Sequence, residues 1–164
     1  MQKLWCVSFN GFRNIVNKEG WDINVPPSIA IISINSSGNI CPGEETHLCH
    51  GTNVLNLNFD DAEPFSYGLE DYTTDATITT SDGENIRINF FTPEMAQECV
   101  KFIEGNKDKD FYIHCSAGVS RSQAFVKYIN NVYFDKEFQT NPNNPCLHPN
   151  GYVYQLLMEK YREM

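Results

Sequence analysis

The stretch FYIHCSAGVSRSQAF, residues 111–125, decides how the rest of the sequence is interpreted. It begins with a short run of β-branched and aromatic residues at 111–115, which is typical of a buried strand. Small residues follow Cys115 as far as Arg121, and apolar residues then recur at helical spacing over 122–134. The sequence therefore predicts a strand, a tight loop and a helix, with a cysteine at the first junction and an arginine at the second.

The loop between Cys115 and Arg121 has the character of an anion site. Gly118 allows backbone conformations that other residues resist, so the loop can curl with its N–H groups turned inward. The N-terminus of the following helix adds a positive end, and the planar guanidinium of Arg121 can bind two oxygens at once. We therefore expect this loop to bind a tetrahedral dianion. Its phosphate-binding residues are predicted to be Ser116, Ala117, Gly118, Val119, Ser120 and Arg121.

The same positive surroundings act on Cys115 and favour its thiolate over its thiol. A thiolate that faces a bound phosphate is a nucleophile in line for phosphoryl transfer. Ser122 follows Arg121 directly and is placed to donate a hydrogen bond to the sulfur and to assist its later departure. His114 is interpreted as a residue that hydrogen-bonds behind the loop and orients it, and not as an acid or base.

The motif His114-Cys115-x5-Arg121-Ser122 resembles the signature loop of the cysteine-based protein tyrosine phosphatase superfamily. Its serine-rich form, HCSAGVSRS, is most similar to the compact dual-specificity branch. The resemblance covers most of the chain, because residues 54–61 are similar to the strand and acid loop of that branch and the segment after Asn150 to its C-terminal helix. It implies a phosphocysteine intermediate, no cofactor, no metal, a phosphorylated protein substrate and an aspartate upstream that acts as general acid.

Five aspartates are candidates for that acid, namely Asp60, Asp61, Asp71, Asp75 and Asp82. Asp82 lies in a predicted hairpin turn, and Asp71 and Asp75 lie in a stretch without periodicity. Asp60 and Asp61 follow directly on a predicted strand, where side-chain alternation turns one away from the other. In the compact branch one residue separates the strand from the acid, which favours Asp61 and leaves Asp60 as the alternative.

The segment at 67–91 is longer than its counterpart in the most compact members of the superfamily. It places Asp61 54 residues before Cys115. Within it, Asp82-Gly83 separates two alternating segments at 78–90, which is a hairpin signal. Two interpretations stay open: the hairpin forms a wall of the site and influences substrate choice, or it is an edge feature without a role there.

Other segments complete an α/β pattern. Strands are predicted at 3–9, 28–35 and 54–59, helices at 92–105 and 150–164, and a loop or short helix at 36–53. Thr92 and Pro93 are typical of a helix N-terminus. We expect one domain over residues 1–164, a mostly parallel central sheet flanked by helices, and the signature loop between the last strand and the following helix.

Composition narrows the classes of partner. The net charge of −9 disfavours nucleic acid and anionic membranes, since both are bound through Lys and Arg. No apolar run approaches the ~18 residues of a membrane span. The N-terminus lacks a basic region followed by an apolar core, so a cytoplasmic location and mostly reduced cysteines are expected. The oligomeric state is left open.

Two further groups of residues contain cysteine or histidine side chains. Cys41, His47, Cys49 and His50 are zinc-type ligands, but their spacing fits no common zinc motif, which favours a polar connection instead. Cys49 or Cys146 is a candidate disulfide partner that would protect the nucleophile from over-oxidation.

Three rival functions share the framework of the loop. Phosphoinositide phosphatases typically add lysines within it, and here its residues between Cys115 and Arg121 are uncharged. An RNA 5′-phosphatase needs a basic approach surface, which the acidic chain disfavours. A non-catalytic phosphoprotein-binding pseudophosphatase requires a lost catalytic residue, whereas the cysteine, the arginine and a candidate aspartate are all present.

Overall fold

A computed structural model describes residues 1–36, 51–133, 135–141 and 148–164. The strands within these ranges are β1 Gln2–Val7, β2 Ile29–Asn35, β3 Val54–Asn58, β4 Asp75–Thr79, β5 Asn85–Asn89, β6 Asp110–His114 and β7 Phe138–Thr140. The helices are α1 Phe9–Glu19, α2 Pro93–Gly105, α3 Arg121–Val132 and α4 Gly151–Arg162, with a short 3-10 helix at Pro64–Tyr67. None of the described helices is long and apolar enough to cross a membrane.

Five strands form the central sheet in the order β3-β2-β6-β1-β7, and every pair of neighbours runs parallel. The prediction of an α/β fold with a mostly parallel sheet is confirmed. His114, the last residue of β6, is in register with Val7 of β1 and Ser33 of β2. The carboxyl ends of three adjacent strands therefore meet at one edge, and open α/β sheets bind ligands at this edge.

Helices cover both faces of the sheet because alternate strand residues point to opposite sides. Ile32 and Ile113 join the larger core, which lies under α2, α3 and α4. Ile31 and Tyr112, their neighbours in sequence, join a smaller core with Phe12 of α1. Burying each of these side chains stabilises the fold by roughly 1.5–3 kcal/mol, so the two cores hold the strands that carry the edge.

The helices begin at different kinds of cap. Thr92 accepts a hydrogen bond from Met95 N at 3.2 Å and Pro93 occupies the first turn of α2, as the sequence predicted. Asn150 caps α4 in the same way through Val153 N. Within the described residues, no side chain caps α3. Its first N–H groups are therefore available to a ligand at the sheet edge.

Two sequence predictions were wrong. The strand predicted at 3–9 ends at Val7, and Phe9 begins α1, capped by the Ser8 hydroxyl. The signature loop follows the sixth strand and not the last, because β7 adds an unpredicted edge strand after α3.

Some predictions fall on residues outside the described ranges. Most of the loop predicted at 36–53 is among them. So are the zinc-type residues Cys41, His47, Cys49 and His50, together with Cys146.

The hairpin predicted within residues 78–90 is confirmed. β4 and β5 pair antiparallel around a turn that contains Gly83, whose φ is +82°. Asp60, which follows β3, makes two hydrogen bonds with Asn89 at the end of the hairpin. Asp60 N donates to Asn89 O at 2.7 Å, and Asn89 N donates to the Asp60 carboxylate at 2.8 Å.

Candidate active site

Cys115 lies directly after β6 at the carboxyl edge of the sheet, with only 2% of its surface exposed. Its sulfur is 3.1 Å from Ser122 Oγ and accepts a hydrogen bond from Gly118 N at 3.3 Å. The sequence predicted the contact with Ser122. The contact with Gly118 shows that the loop folds back over the sulfur.

The carbonyl groups of the loop are turned away from its centre. Four of them accept hydrogen bonds from outside: Ser116 O from Phe9 N (3.0 Å), Gly118 O from Gln123 Nε2 (3.2 Å), Val119 O from His148 N (3.1 Å) and Ser120 O from Asn150 N (3.1 Å). In a trans peptide the C=O and the following N–H point in opposite directions. The N–H groups that follow these carbonyls are therefore turned toward the cavity, which is the orientation that an anion nest requires.

Gly118 is required for this shape on two counts. Its φ of +74° lies in the left-handed region, which favours glycine. A Cβ at this position would also lie 2.8 Å from Val7 C and 2.9 Å from Ser8 N, and both are backbone atoms that cannot move aside cheaply. The loop is thus packed directly on the junction of β1 and α1.

Arg121 begins α3 and is 3% exposed. One guanidinium nitrogen donates to Phe59 O at 2.6 Å and to Ser36 Oγ at 2.9 Å, and the other donates to Ser116 Oγ at 2.9 Å. None of the ion pairs within the described ranges involves this arginine. A buried cation with neutral partners alone is costly, and an anion in the loop would offset that cost.

His114 lies behind the loop, away from the cavity. Its Nε2 is 2.6 Å from Ser33 Oγ, its Nδ1 is 3.3 Å from Cys115 O, and its ring stacks on Phe12 with the centroids 4.3 Å apart. Burial and, to a smaller extent, the nearby Arg121 charge lower the pKa of His114 to about 4, against the effect of the Cys115 backbone hydrogen bond, which raises it. The ring is therefore neutral at pH 7 and holds β2, β6 and α1 together beneath the nucleophile.

A cavity of about 580 Å³ opens above the loop and is bordered by Cys115, Arg121 and both candidate acids. The two aspartates point apart, as strand alternation predicted. Asp60 is 2% exposed and its carboxylate is bound to the hairpin backbone. Asp61 is exposed, and its Oδ1 accepts hydrogen bonds from Ser120 Oγ at 2.8 Å and Asn150 Nδ2 at 2.9 Å. Asp61 therefore lies beside the loop, with its carboxylate held by Ser120 and Asn150.

The remaining candidate acids lie elsewhere. Asp71, Asp75 and Asp82 are not among the residues that line the cavity. Asp75 is paired with Arg87 across the hairpin at 2.6 Å. The segment at 67–91 nevertheless reaches the site, because Tyr67 and Ile88 line the cavity. Of the two interpretations of this segment, the geometry favours the wall.

Sequence reasoning missed Cys6 as a component of the site. Its sulfur lies 2.9 Å from Ser122 Oγ, the same hydroxyl that contacts the Cys115 sulfur at 3.1 Å. Burial raises the pKa of Cys6 to about 12. No local signal marks this residue, because its role depends on β1 lying beside β6. Within the described ranges Cys6, Cys99 and Cys115 are all free, buried thiols, and no cluster of three potential metal ligands occurs.

Comparison with known proteins gives likenesses of fold. The human tyrosine phosphatase-like serine/threonine/tyrosine-interacting protein shares 18% identity over 92% of this chain and 82% of its own, with a TM-score of 0.45. The PTP-2 phosphatase of Cydia pomonella shares 14% identity over 94% and 83%, with a TM-score of 0.47. No family model and no curated protein sequence matches. At such low identity these likenesses concern the fold alone.

Replacing Gly118 tests whether the loop depends on its contact with β1. We expect Gly118→Ala to lower the free energy of unfolding by about 1–2 kcal/mol for the left-handed backbone and by about 1–3 kcal/mol more for the close contact. Gly20→Ala is the matched control, because Gly20 has a φ of +72° and an alanine methyl group there would meet no atom within 4 Å beyond the adjoining chain. Urea unfolding gives the free energy of unfolding of both variants. An equal loss in the two would show that the close contact of Gly118 with β1 has no effect on stability.

Titration tests the neutral state of His114. Its folded pKa of about 4 lies below the unfolded value of 6.5, so the folded protein binds fewer protons between these pH values. The neutral ring makes its full contribution to the free energy of unfolding above pH 6.5. This contribution is lost as pH falls toward 4, by at most about 1.4 kcal/mol per pH unit. Urea unfolding across this range, compared with His114→Gln, should show the difference in slope. Parallel curves would show that the ring does not titrate as described.

Proposed function

We propose that this chain is a phosphoprotein phosphatase that hydrolyses phosphotyrosine, with phosphoserine and phosphothreonine as further candidate substrates, through a phosphocysteine intermediate. The observation that carries the proposal is the position of the Cys115 sulfur beneath a curled loop whose N–H groups face the cavity, with the buried Arg121 guanidinium beside it. This arrangement binds a tetrahedral dianion and presents it to a nucleophile.

In the first step the Cys115 thiolate attacks phosphorus and the ester P–O bond breaks. The loop N–H groups and Arg121 stabilise the equatorial oxygens, which carry the charge of the transition state. Asp61 donates a proton to the leaving oxygen, so the alcohol departs neutral. The expected roles of Cys115, Arg121 and Asp61 are all compatible with their placement around one cavity.

In the second step water attacks the phosphocysteine. The Asp61 carboxylate accepts a proton from the water, the S–P bond breaks, and its electron pair returns to the Cys115 sulfur. Ser122 Oγ, 3.1 Å away, donates a hydrogen bond to the departing sulfur without transferring its proton. These two steps use only side chains and water, and they need no cofactor.

The residues of the cavity wall favour an aryl phosphate carried by a protein over a polyanionic substrate. Ala62, Tyr67 and Ile88 provide apolar surface in the cavity that the loop also borders. Arg121 is the only Lys or Arg among the described residues that line the cavity, and two carboxylates also border it. Phosphoinositides and RNA 5′ ends carry further phosphates that need further cations. The acidic character of the chain likewise disfavours nucleic acid and anionic membranes.

The nucleophile is tested with p-nitrophenyl phosphate in the presence of a chelator. The wild-type chain should release p-nitrophenol, and Cys115→Ser should reduce the rate to background, because an alcohol is a far weaker nucleophile than a thiolate at neutral pH. Cys99→Ser is the control for replacing a buried thiol, because Cys99 lies on α2 and packs in the larger core. Turnover that persists in Cys115→Ser, or that requires a metal ion, would contradict the mechanism.

The general acid is tested by comparing leaving groups. Asp61→Ala should lower kcat/KM, which reports the first step, by about 10²–10⁴-fold with phenyl phosphate and much less with p-nitrophenyl phosphate, whose leaving group needs no proton. Asp60→Ala should instead lower the free energy of unfolding by about 1–3 kcal/mol, because the Asn89 N–H loses its partner. If Asp60→Ala shows the leaving-group dependence and Asp61→Ala does not, Asp60 is the acid.

A further inference from the structure

We propose that Cys6 is a positioning residue for the phosphatase reaction: its thiol donates a hydrogen bond to Ser122 Oγ and so directs the Ser122 hydroxyl toward Cys115. The inference rests on the proposed function and adds a residue that lies outside the signature loop and acts only through Ser122. It is carried by the chain of contacts Cys6–Ser122–Cys115, with lengths of 2.9 and 3.1 Å.

The backbone of Cys6 is fixed on both sides of its strand. In β1 it is in register with Ile113 of β6, and on the other side the Asn141 side chain makes two hydrogen bonds with it. Asn141 Oδ1 accepts from Cys6 N, and Asn141 Nδ2 donates to Cys6 O, both at 3.0 Å. The side chain is 3% exposed. The thiol therefore has a defined position behind the loop.

The number of hydrogens decides the direction of the two bonds. Ser122 has one hydroxyl hydrogen and lies between two sulfur atoms. Burial keeps Cys6 protonated, since it raises the pKa of this thiol to about 12. In the proposed mechanism the Cys115 sulfur reacts as a thiolate or is bonded to phosphorus, and in neither form does it have a hydrogen to give. The single hydrogen of Cys6 has two acceptors, Gly118 O at 3.6 Å and Ser122 Oγ at 2.9 Å, and the shorter distance favours the hydroxyl. Cys6 therefore donates to Ser122 Oγ, and the hydrogen of Ser122 is directed to the Cys115 sulfur.

The usual alternative for a serine in a helix is a hydrogen bond to the carbonyl three or four residues earlier. For Ser122 these are the carbonyls of Val119 and Gly118. Val119 O already accepts from His148 N at 3.1 Å, and Gly118 O accepts from Gln123 Nε2 at 3.2 Å, with the Cys6 sulfur 3.6 Å away. Competition for the Ser122 hydrogen is thereby reduced, which supports the same direction.

The effect is expected in the second chemical step. When water attacks phosphorus and the S–P bond breaks, negative charge develops on the Cys115 sulfur. A hydroxyl that already points at the sulfur stabilises this charge without reorganisation. Without the Cys6 donor, Ser122 is free to rotate and the leaving sulfur loses part of that stabilisation. Formation of the phosphocysteine depends on the loop and on Asp61 and should change little.

The test is rapid-mixing and steady-state kinetics with p-nitrophenyl phosphate on wild type, Cys6→Ala and Cys6→Ser. We expect Cys6→Ala to lower kcat by roughly three- to tenfold, the range of one hydrogen bond, with kcat/KM changed by less than about twofold. A burst of p-nitrophenol should become larger as hydrolysis of the intermediate slows. Cys6→Ser keeps a donor and should restore most of kcat.

Two controls separate positioning from packing. Cys99→Ala removes a buried thiol where α2 packs on the larger core, and it should leave kcat and kcat/KM unchanged. In a Ser122→Ala background, Cys6→Ala should have no further effect on kcat, since the coupling runs through Ser122. If Cys6→Ala is poorly folded by circular dichroism, Cys6→Val fills the space without a donor and is subject to the same expectations.

The outcomes distinguish this inference from the proposed function. If the wild-type chain does not turn over aryl phosphates, the proposed function fails and the role of Cys6 fails with it. If wild type is active but Cys6→Ala leaves kcat unchanged, lowers kcat and kcat/KM equally, or is not rescued by Cys6→Ser, only the role of Cys6 is overturned. Additive effects of Cys6→Ala and Ser122→Ala would overturn it as well.

Discussion

The outward orientation of the loop carbonyls is the constraint on which the site depends. Hydrogen bonds from α1, from α3 and from the start of α4 hold these carbonyls, so three separate parts of the chain determine where the N–H groups point. Gly118 allows the loop to approach the end of β1 closely enough for this to happen. The anion nest is therefore a property of the assembled sheet and helices, although its residues are consecutive in sequence.

The position of Arg121 shows why a strongly acidic chain can still bind a dianion. Its guanidinium is buried and has neutral oxygen partners, and the N-terminus of α3 adds a further positive end. Attraction within this low-dielectric site exceeds that of exposed charges, which water and salt screen. Under the proposed function, the net charge of −9 acts against polyanions at longer range, while the local positive charge of the loop and Arg121 attracts a single phosphate.

The sequence revealed the parts of the site whose chemistry is local. The signature loop, the β4–β5 hairpin and the cap of α2 each depend on a few adjacent residues, and all were predicted. Helix α1 was missed because its sequence, FNGFRNIVNKE, contains glycine and asparagines that favour helix weakly. Packing of Phe12 and Val16 against the sheet stabilises it instead. Cys6 was missed because strand order cannot be inferred from its neighbours in sequence.

The adjacent aspartates explain how the hairpin and the chemistry are connected. Asp60 uses its backbone and its carboxylate to hold Asn89, which fixes the chain immediately before Asp61. Strand-like alternation then turns the Asp61 carboxylate to the opposite side, where Ser120 and Asn150 orient it beside the loop. A buried, hydrogen-bonded carboxylate cannot also serve as a mobile proton donor without losing the hairpin contact. One aspartate therefore supports the wall of the cavity, and its neighbour is placed beside the loop as the proposed acid requires.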